Sequence, residues 1–339
     1  MTTNQPQLSA MEPRVSLQPD IQSLASGLGS VLILPNAELT ILERERNPYS
    51  SGSFSEVVTC RLADGQVLRL FFKYAQFPGE ADYHDASHEP FEVMPWSNVP
   101  YEAEVYRQVL EPLRLSTPKF YGTYNEPDTG RLWLVLEHLE NAIPLDEQAD
   151  RYMRLASSWL GRFHAAAEPF ATTASLPFLK KIDPEYYLAF ARRALSAKWL
   201  DPSWWWLPDL CWRFRHMVAS TLILRPTIIH GDYYRNNILL SDGNIHPVDW
   251  EQAAIGLGEL DLAALTFRWP AEIAQPCELE YQKSRWPKGA PADFEIALNA
   301  ARLVLYLDEM RNLPNWPDRD DRLVFGEEMR SLGEHLKLI

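Results

Sequence analysis

The chain has 339 residues, 46% of them hydrophobic and 23% charged, an ordinary globular composition that excludes a disordered chain. That length suits two domains, or one large domain made of two lobes. The formal net charge of −14 argues against non-specific nucleic-acid binding; it is compatible with a cationic small-molecule substrate, although acidic surfaces more commonly serve solubility.

No apolar run approaches the roughly 18 residues that span a bilayer. Met1 to Pro19 is polar, without a basic stretch followed by an apolar block, so no secretory signal is expected. Cys60, Cys211 and Cys277 match neither a disulfide framework nor a zinc site and read as free thiols of a reducing cytoplasm. Residues 1–35 read as a partly disordered leader.

From Ile41 to Lys73 the pattern is strand-like. Val57-Val58-Thr59-Cys60 and Val67-Leu68-Arg69-Leu70-Phe71-Phe72 flank Asp64-Gly65, a hairpin signal. The preceding segment, Ser50 to Val57, holds small residues around Gly52 and Ser53 that let backbone amides approach an anion; in isolation it is a turn. Residues 75–98, with His84 and His88, lack periodicity and read as a long surface segment. A helix follows over Pro100 to Leu110, with Glu102, Val105, Tyr106 and Val109 on one face. A second β pair spans Lys119–Tyr124 and Arg131–Glu137. Beyond Pro144 the chain turns helical, with Tyr152, Leu155, Trp159, Leu160 and Phe163 as an apolar stripe. Residues 184–224 read as helices broken at Pro202 and Pro208, and 291–312 and 320–336 as further helices. A β-rich half thus precedes a helix-rich half, an α+β layout divided here into 36–138 and 139–339.

The chemistry concentrates in 226–252. A short strand, Thr227-Ile228-Ile229, leads into His230-Gly231-Asp232-Tyr233-Tyr234-Arg235-Asn236-Asn237. Ile238-Leu239-Leu240 and Ile245-His246-Pro247-Val248 then flank Ser241-Asp242-Gly243-Asn244 and read as a hairpin. Such a hairpin brings Asn237, before its first strand, beside Asp249, after its second. An amide oxygen and a carboxylate converging there suit Mg²⁺, which takes one or two protein carboxylates plus substrate phosphates. Asp232 lies on the loop feeding the same edge, where it can accept the proton of an attacking hydroxyl.

These motifs resemble the catalytic loop and metal-binding segment (Val248-Asp249-Trp250-Glu251) of the aminoglycoside phosphotransferase and choline kinase family. Gly258 to Ala263 is similar to that family's downstream continuation. The resemblance covers about 45–265 and implies a bilobal protein-kinase-like fold, with a β-rich N-lobe and a mostly helical C-lobe. It implies an ATP- and Mg²⁺-dependent phosphotransferase, GTP being an alternative donor, acting on a hydroxyl of a small molecule. By the same resemblance Asp232 is the catalytic base, and Asn237 and Asp249 bind magnesium. Asp261 and His230 anchor the loop, and Glu251 either assists the metal or holds the loop. Lys73 binds phosphate braced by Glu102, favoured over Glu104. Gly52 and Ser53 belong to a phosphate loop. Glu137 and Leu139 lie in the connector that meets adenine. Tyr233, Tyr234 and Arg235 sit beside the base as candidate acceptor contacts. Trp204, Trp205, Trp206 and Trp212 read either as core or as an aromatic wall for the acceptor, and Asp308 and Glu309 either as exposed charge or as partners of a cationic one. Protein kinases carry arginine where Gly231 stands, and the stretch from Asp249 to Asp261 is too short for a switchable activation loop; a protein kinase is therefore disfavoured. The other competing reading, a degenerate nucleotide-binding relative, predicts loss of Lys73, Asp232, Asn237 or Asp249, and all are present.

Overall fold

The computed structural model describes residues 18–33, 39–48, 54–75, 98–147, 149–172, 176–197, 202–316 and 318–339. They form two compact units, one drawn from Met1–His84 and Tyr121–Glu137, the other from Asp85–Phe120 and His138–Ile339.

The first unit is a five-stranded sheet, β1 (Thr40–Arg46), β2 (Phe54–Arg61), β3 (Val67–Tyr74), β4 (Phe120–Asn125) and β5 (Leu132–Glu137), in the order β1-β2-β3-β5-β4. The Asp64-Gly65 signal becomes the β2–β3 turn, closed by Leu62 and Gln66, with Gly65 at φ +88°. Helix α1 (Ile21–Val31) lies in the stretch read as leader. Asp20 caps it, accepting from the amides of Gln22 and Ser23. Its Leu24 and Leu28 are fully buried with Val58, Cys60, Leu70, Phe72, Tyr74 and Trp133. Strand alternation puts Phe72 and Tyr74 in this core, so Lys73 projects from the opposite face of the sheet. Glu56, on the core face, is completely buried yet satisfied: it accepts from Arg44 and from the Tyr74 hydroxyl.

The second unit begins with α2 (Val99–Val105), which continues through a π turn (Tyr106–Leu110) into α3 (Glu111–Leu113). After the short β6 (Ile143–Pro144) come the long α4 (Ala149–Thr172), β7 (Lys180–Lys181), α5 (Pro184–Ser196) and α6 (Leu207–Met217). Then β8 (Pro226–Ile229), the hairpin β9 (Ile238–Ser241) and β10 (Asn244–Pro247), and β11 (Ala254–Leu257) carry the loops of interest. Helices α7 (Glu259–Thr266), α8 (Ala271–Arg285), α9 (Phe294–Glu309) and α10 (Arg319–His335) complete it.

Two expectations change, and one open alternative is resolved. The buried stripe of α4 runs through Met153, Ala156, Leu160, Phe163 and Ala167, with Trp159 beside it, while Leu155 is 45% exposed. Pro208 does not break a helix; it occupies the first turn of α6, where no intrahelical amide is lost. Trp204 and Trp206 are buried and stacked 6.1 Å apart, with Trp204 against Gly326, so they belong to the core; Trp205 and Trp212 are exposed.

Candidate active site

Strand β8 ends at Ile229, and the next residues form a loop held from below by one carboxylate. Asp261, on the first turn of α7, is 1% exposed. Its Oδ2 accepts from the His230 amide at 2.7 Å and its Oδ1 from the Gly231 amide at 3.0 Å. The His230 ring adds two bonds: Nε2 donates to the Val248 carbonyl at 3.0 Å, and Nδ1 accepts from the Asp232 amide at 3.3 Å. A carbonyl only accepts and an amide N–H only donates, so both bonds select the same tautomer. Beneath lies an aromatic floor in which Trp250 packs on His230 (4.4 Å) and Phe163 (5.1 Å), and Tyr233 stacks on Trp159 (6.2 Å).

The hairpin brings the polar groups together. Its turn, Asp242-Gly243, has both central residues at positive φ (+49° and +76°), the signature of a two-residue type I′ turn. From there the register runs Ser241↔Asn244 to Ile238↔Pro247, and the Val248 amide closes on the Asn237 carbonyl at 2.9 Å. Asn237 and Asp249 thus emerge from one end of the hairpin. The Asn237 amide nitrogen donates to the Asp232 carboxylate at 2.7 Å and to its carbonyl at 3.1 Å. That orientation leaves Oδ1 as the acceptor end of the amide. Asp249 stands in the left-handed region (φ +69°, ψ +61°), sparsely used by residues other than glycine and tolerated best by Asp and Asn. Burial pushes the Asp232 carboxyl above its usual range; the His230 ring opposes this, and the nearby Asp249 carboxylate reinforces it.

These residues can be tested for fit to a divalent cation. An amide oxygen whose nitrogen is committed elsewhere, and a carboxylate held at the same strand end, are hard oxygen donors. Among the described residues no three His, Cys, Asp or Glu side chains gather as a complete cage. A partial oxygen set of this kind fits Mg²⁺, which fills its remaining positions with phosphate and water.

Helix α2 is tied to the segment after Asp249. Glu102, 1% exposed, accepts from the Trp250 amide at 3.2 Å; the Tyr101 hydroxyl donates to the Ala253 carbonyl at 2.5 Å. Glu251 accepts from the amide of Asn98, the residue that caps α2. Glu104, by contrast, pairs with Arg107 on the outer face. Lys180 lies over the Tyr101 ring at 4.5 Å and donates to the Glu251 carbonyl at 3.0 Å.

The residues after Asp232 divide. Tyr233 is fully buried and its hydroxyl donates to the Ala156 carbonyl, so it belongs to the core and not to an accessible face. Arg235 pairs with Asp146 at 3.3 Å and lies over Trp269 at 4.6 Å. Tyr234 is half-buried; burial raises its hydroxyl, and the carboxylates of Asp232, Asp308 and Glu309 add to the shift. Tyr186 on α5 is pushed up to about 12, by burial first and then by Asp308, with Asp232 also contributing. Both tyrosine hydroxyls thus sense the charges of Asp232 and Asp308. Asp308 itself sits 3.2 Å from Arg311 and 3.7 Å from Arg193.

In the first unit Lys73 is half-buried, paired in register with Ser55 and Leu134, and Glu137 ends β5. The unit boundary falls between Glu137 and His138, and Leu139 follows it half-buried. Gly52 and Ser53, like His84 and His88, lie outside the described residues.

The sequence reading passed over His164, Tyr281 and Arg285. His164 is fully buried on α4, 3.1 Å from Asp261 Oδ2 and 2.9 Å from the Tyr281 hydroxyl. A histidine continuing the apolar stripe of α4 was the available signal. Burial lowers its pKa from 6.5 to about 4, against the pull of Asp261. As pH falls below 6.5, the unfolded imidazole takes up a proton that the folded one refuses, so stability falls towards pH 4. Asp261, Tyr281, Arg285 and His230 face this ring, and Glu259 is buried alongside Arg285. Between pH 7 and pH 5, denaturant unfolding is expected to show the native protein losing about 2 kcal/mol more than His164→Gln. Equal losses would remove the assignment of a neutral buried His164.

Comparison with known proteins follows this geometry. The sequence matches the model of the phosphotransferase enzyme family over residues 97–292, more than half of the chain. No curated protein matches it. Among solved structures, choline kinase LicA from Streptococcus pneumoniae is similar at a TM-score of 0.57 and 13% identity, covering 93% of this chain and 98% of that one. Aminoglycoside 2′-phosphotransferase-IIIa, solved as its GDP complex, is similar at 0.57 and 14%, covering 94% and 99%. Macrolide 2′-phosphotransferase MphH from Brachybacterium faecium is similar at 0.54 and 14%, covering 88% and 97%. At these identities the solved structures speak for a shared protein-kinase-like fold.

Proposed function

The chain belongs to the phosphotransferase enzyme family, and from that premise we propose that it is an ATP- and Mg²⁺-dependent kinase of a small-molecule hydroxyl. The observation that carries this reading is the convergence of Asp232, Asn237 and Asp249 at one end of the β9–β10 hairpin, above the Asp261 clamp. Phosphoryl transfer asks a protein mainly for positioning and charge stabilisation. Asp232 is the group that orients the acceptor hydroxyl and takes its proton. Its raised pKa makes it a stronger base than an exposed carboxylate. Asn237 and Asp249 would hold magnesium, which when bound neutralises charge on the phosphates. Lys73, Glu102, Glu137, Leu139, Gly52 and Ser53 carry the nucleotide part of the proposal. GTP is the alternative donor.

On the acceptor side we place Tyr234 and Tyr186, whose hydroxyls both sense the Asp232 charge. The negative charge of Asp308 and Glu309 suits a cationic acceptor, with Arg193 and Arg311 offsetting part of it. Arg235 and Tyr233 are otherwise engaged, with Asp146 and the Ala156 carbonyl. The test is a panel of hydroxylated compounds arranged in matched pairs, an amino sugar beside its neutral sugar and an amino alcohol beside its diol. ADP release is the readout and Asp232→Asn the blank. At least one acceptor is expected to raise ADP release well above the blank, with amine-bearing members ahead of their neutral partners. A panel flat against the blank would sink the kinase reading; equal rates within each pair would sink the cationic preference.

A further inference from the structure

Asp249 is held in an unfavourable conformation, and the hairpin secures only one side of it. A residue with a side chain stays in the left-handed region where the structure on both sides over-determines it. Before Asp249, the Val248 amide is bonded to the Asn237 carbonyl. After it, each residue from Trp250 to Ala253 is held from outside. The Trp250 amide donates to Glu102 at 3.2 Å, and the Glu251 carbonyl accepts from Lys180 Nζ at 3.0 Å. Gly231 closes on the Gln252 carbonyl, and the Ala253 carbonyl accepts from the Tyr101 hydroxyl at 2.5 Å.

Lys180 belongs to a part of the chain with no task so far, the connector between α4 and α5. There β7 adds a parallel strand to β11, with Lys180 opposite Ala254 and Lys181 opposite Ile255, and the Ile182 amide donates to the Ile255 carbonyl at 2.9 Å. Tyr101 joins this strand to α2. Its hydroxyl, besides donating to Ala253, accepts from the Lys180 amide at 3.2 Å, and Phe178 meets its ring edge-on at 5.8 Å. One buried oxygen thus ties α2, β7 and the segment after Asp249 together.

The two lysines of β7 are adjacent and alike, yet Lys181 is exposed and Lys180 is half-buried, its ammonium over the Tyr101 ring at 4.5 Å. Burial lowers the pKa of Lys180, against the pull of Glu251. Strand pairing asks only for the backbone of residue 180. The ammonium gives up water for a carbonyl two residues after Asp249, and that choice of partner places it in the site and not merely in the sheet.

We propose that Lys180 and Tyr101 are positioning residues for phosphotransfer: they latch the α4–α5 connector and α2 onto the segment that follows Asp249, and so keep the Asp249 carboxylate turned to the edge it shares with Asn237. In protein kinases an ordered activation loop sets the corresponding parts in place; here the stretch from Asp249 to Asp261 is too short for one, and β7 does the work from another part of the chain. The effect on magnesium and turnover rests on the kinase reading, whereas the effect on the segment does not.

The experiment compares four variants of the full chain. Lys180→Met keeps the stem and removes the ammonium. Lys180→Arg returns a cation that can reach the Glu251 carbonyl and lie on the ring. Tyr101→Phe keeps the ring and removes the shared oxygen. Lys181→Met is the control on the same strand. Amide hydrogen exchange over 249–255 is read without ligands, and the Mg²⁺ concentration giving half-maximal ADP release is read with ATP and the acceptor found above. Lys180→Met is expected to exchange 249–255 about 10-fold faster than the native protein, with 54–74 unchanged. Its half-maximal Mg²⁺ concentration should rise by about 10-fold. Tyr101→Phe should move both readings in the same direction. Lys180→Arg should stay within about 3-fold of native in both, and Lys181→Met should match native. Lys180→Met behaving as Lys181→Met does would overturn the proposal. So would faster exchange with an unchanged Mg²⁺ requirement, which marks a role in folding alone, or a loss in Lys180→Arg equal to that in Lys180→Met. If native turnover does not exceed that of Asp232→Asn, the kinase reading fails, and exchange over 249–255 alone decides the latch.

Discussion

Asp232→Asn is expected to leave the protein folded and able to bind Mg-ATP while phosphotransfer falls by about 1,000-fold or more. Asn is nearly isosteric with Asp, and its amide can turn its oxygen toward the Asn237 Nδ2 that now donates at 2.7 Å. The loop amides do not depend on residue 232, because Asp261 receives those of His230 and Gly231. What disappears is the acceptor for the substrate proton. Stability should not suffer. The Asp232 carboxylate is disfavoured in place by burial and by Asp249, so removing its charge relieves both. The expected pattern is thus a melting temperature equal to or above the native one, an unchanged nucleotide dissociation constant by calorimetry, and near-absent turnover. Turnover within about 10-fold of native would show that Asp232 is not the base. A lowered melting temperature would show instead that its carboxylate holds the loop.

Much of this site is legible from residues that act locally. The Asp242-Gly243 turn sets the register of its hairpin, and register alone brings Asn237 to Asp249. The family resemblance, carried by His230 to Asn237 and by Val248 to Glu251, is borne out by the family match. The α+β order is likewise written in the switch from two-residue to helical periodicity. Other features are decided at long range. Leu24 and Leu28 make α1 part of the first unit's core, yet a short helix preceded by a polar leader looks expendable until the sheet is there to cover. Tyr233 and Tyr234 are adjacent and alike, but one is fully buried against the Ala156 carbonyl of α4 and the other stays half-buried. His164 lies far in sequence from Tyr281 and Arg285, which stand one turn apart on α8; only the meeting of α4 with α8 makes them one chain. Strands β6, β7 and β11 were missed for a related reason: short buried strands have no periodicity of their own.

Gly231→Ala is the second substitution with a large expected effect, and Gly243→Ala is its control. Both glycines hold positive φ, +82° and +76°. Alanine in that region costs about 1–2 kcal/mol wherever it occurs. At Gly243 a new Cβ meets nothing within 4 Å, so that backbone cost is the whole of it. At Gly231 a Cβ would lie 2.2 Å from the Gln252 carbonyl oxygen and 2.9 Å from its carbon, both backbone atoms. No rotamer relieves such an overlap. The loop must lift from the segment that follows Asp249, which strains the amide bonds to Asp261 as well. Gly231→Ala should therefore lose about 3–5 kcal/mol by denaturant unfolding, and its residual turnover should fall by more than about 100-fold. Gly243→Ala should lose about 1–2 kcal/mol and keep near-native turnover, because the hairpin register is held by the remaining strand pairs. The comparison also explains why arginine, found at this place in protein kinases, is absent: the loop packs so closely on Gln252 that no side chain fits. Equal behaviour of the two variants would mean that the contact with Gln252 does not constrain the loop, and the steric account of Gly231 would fall.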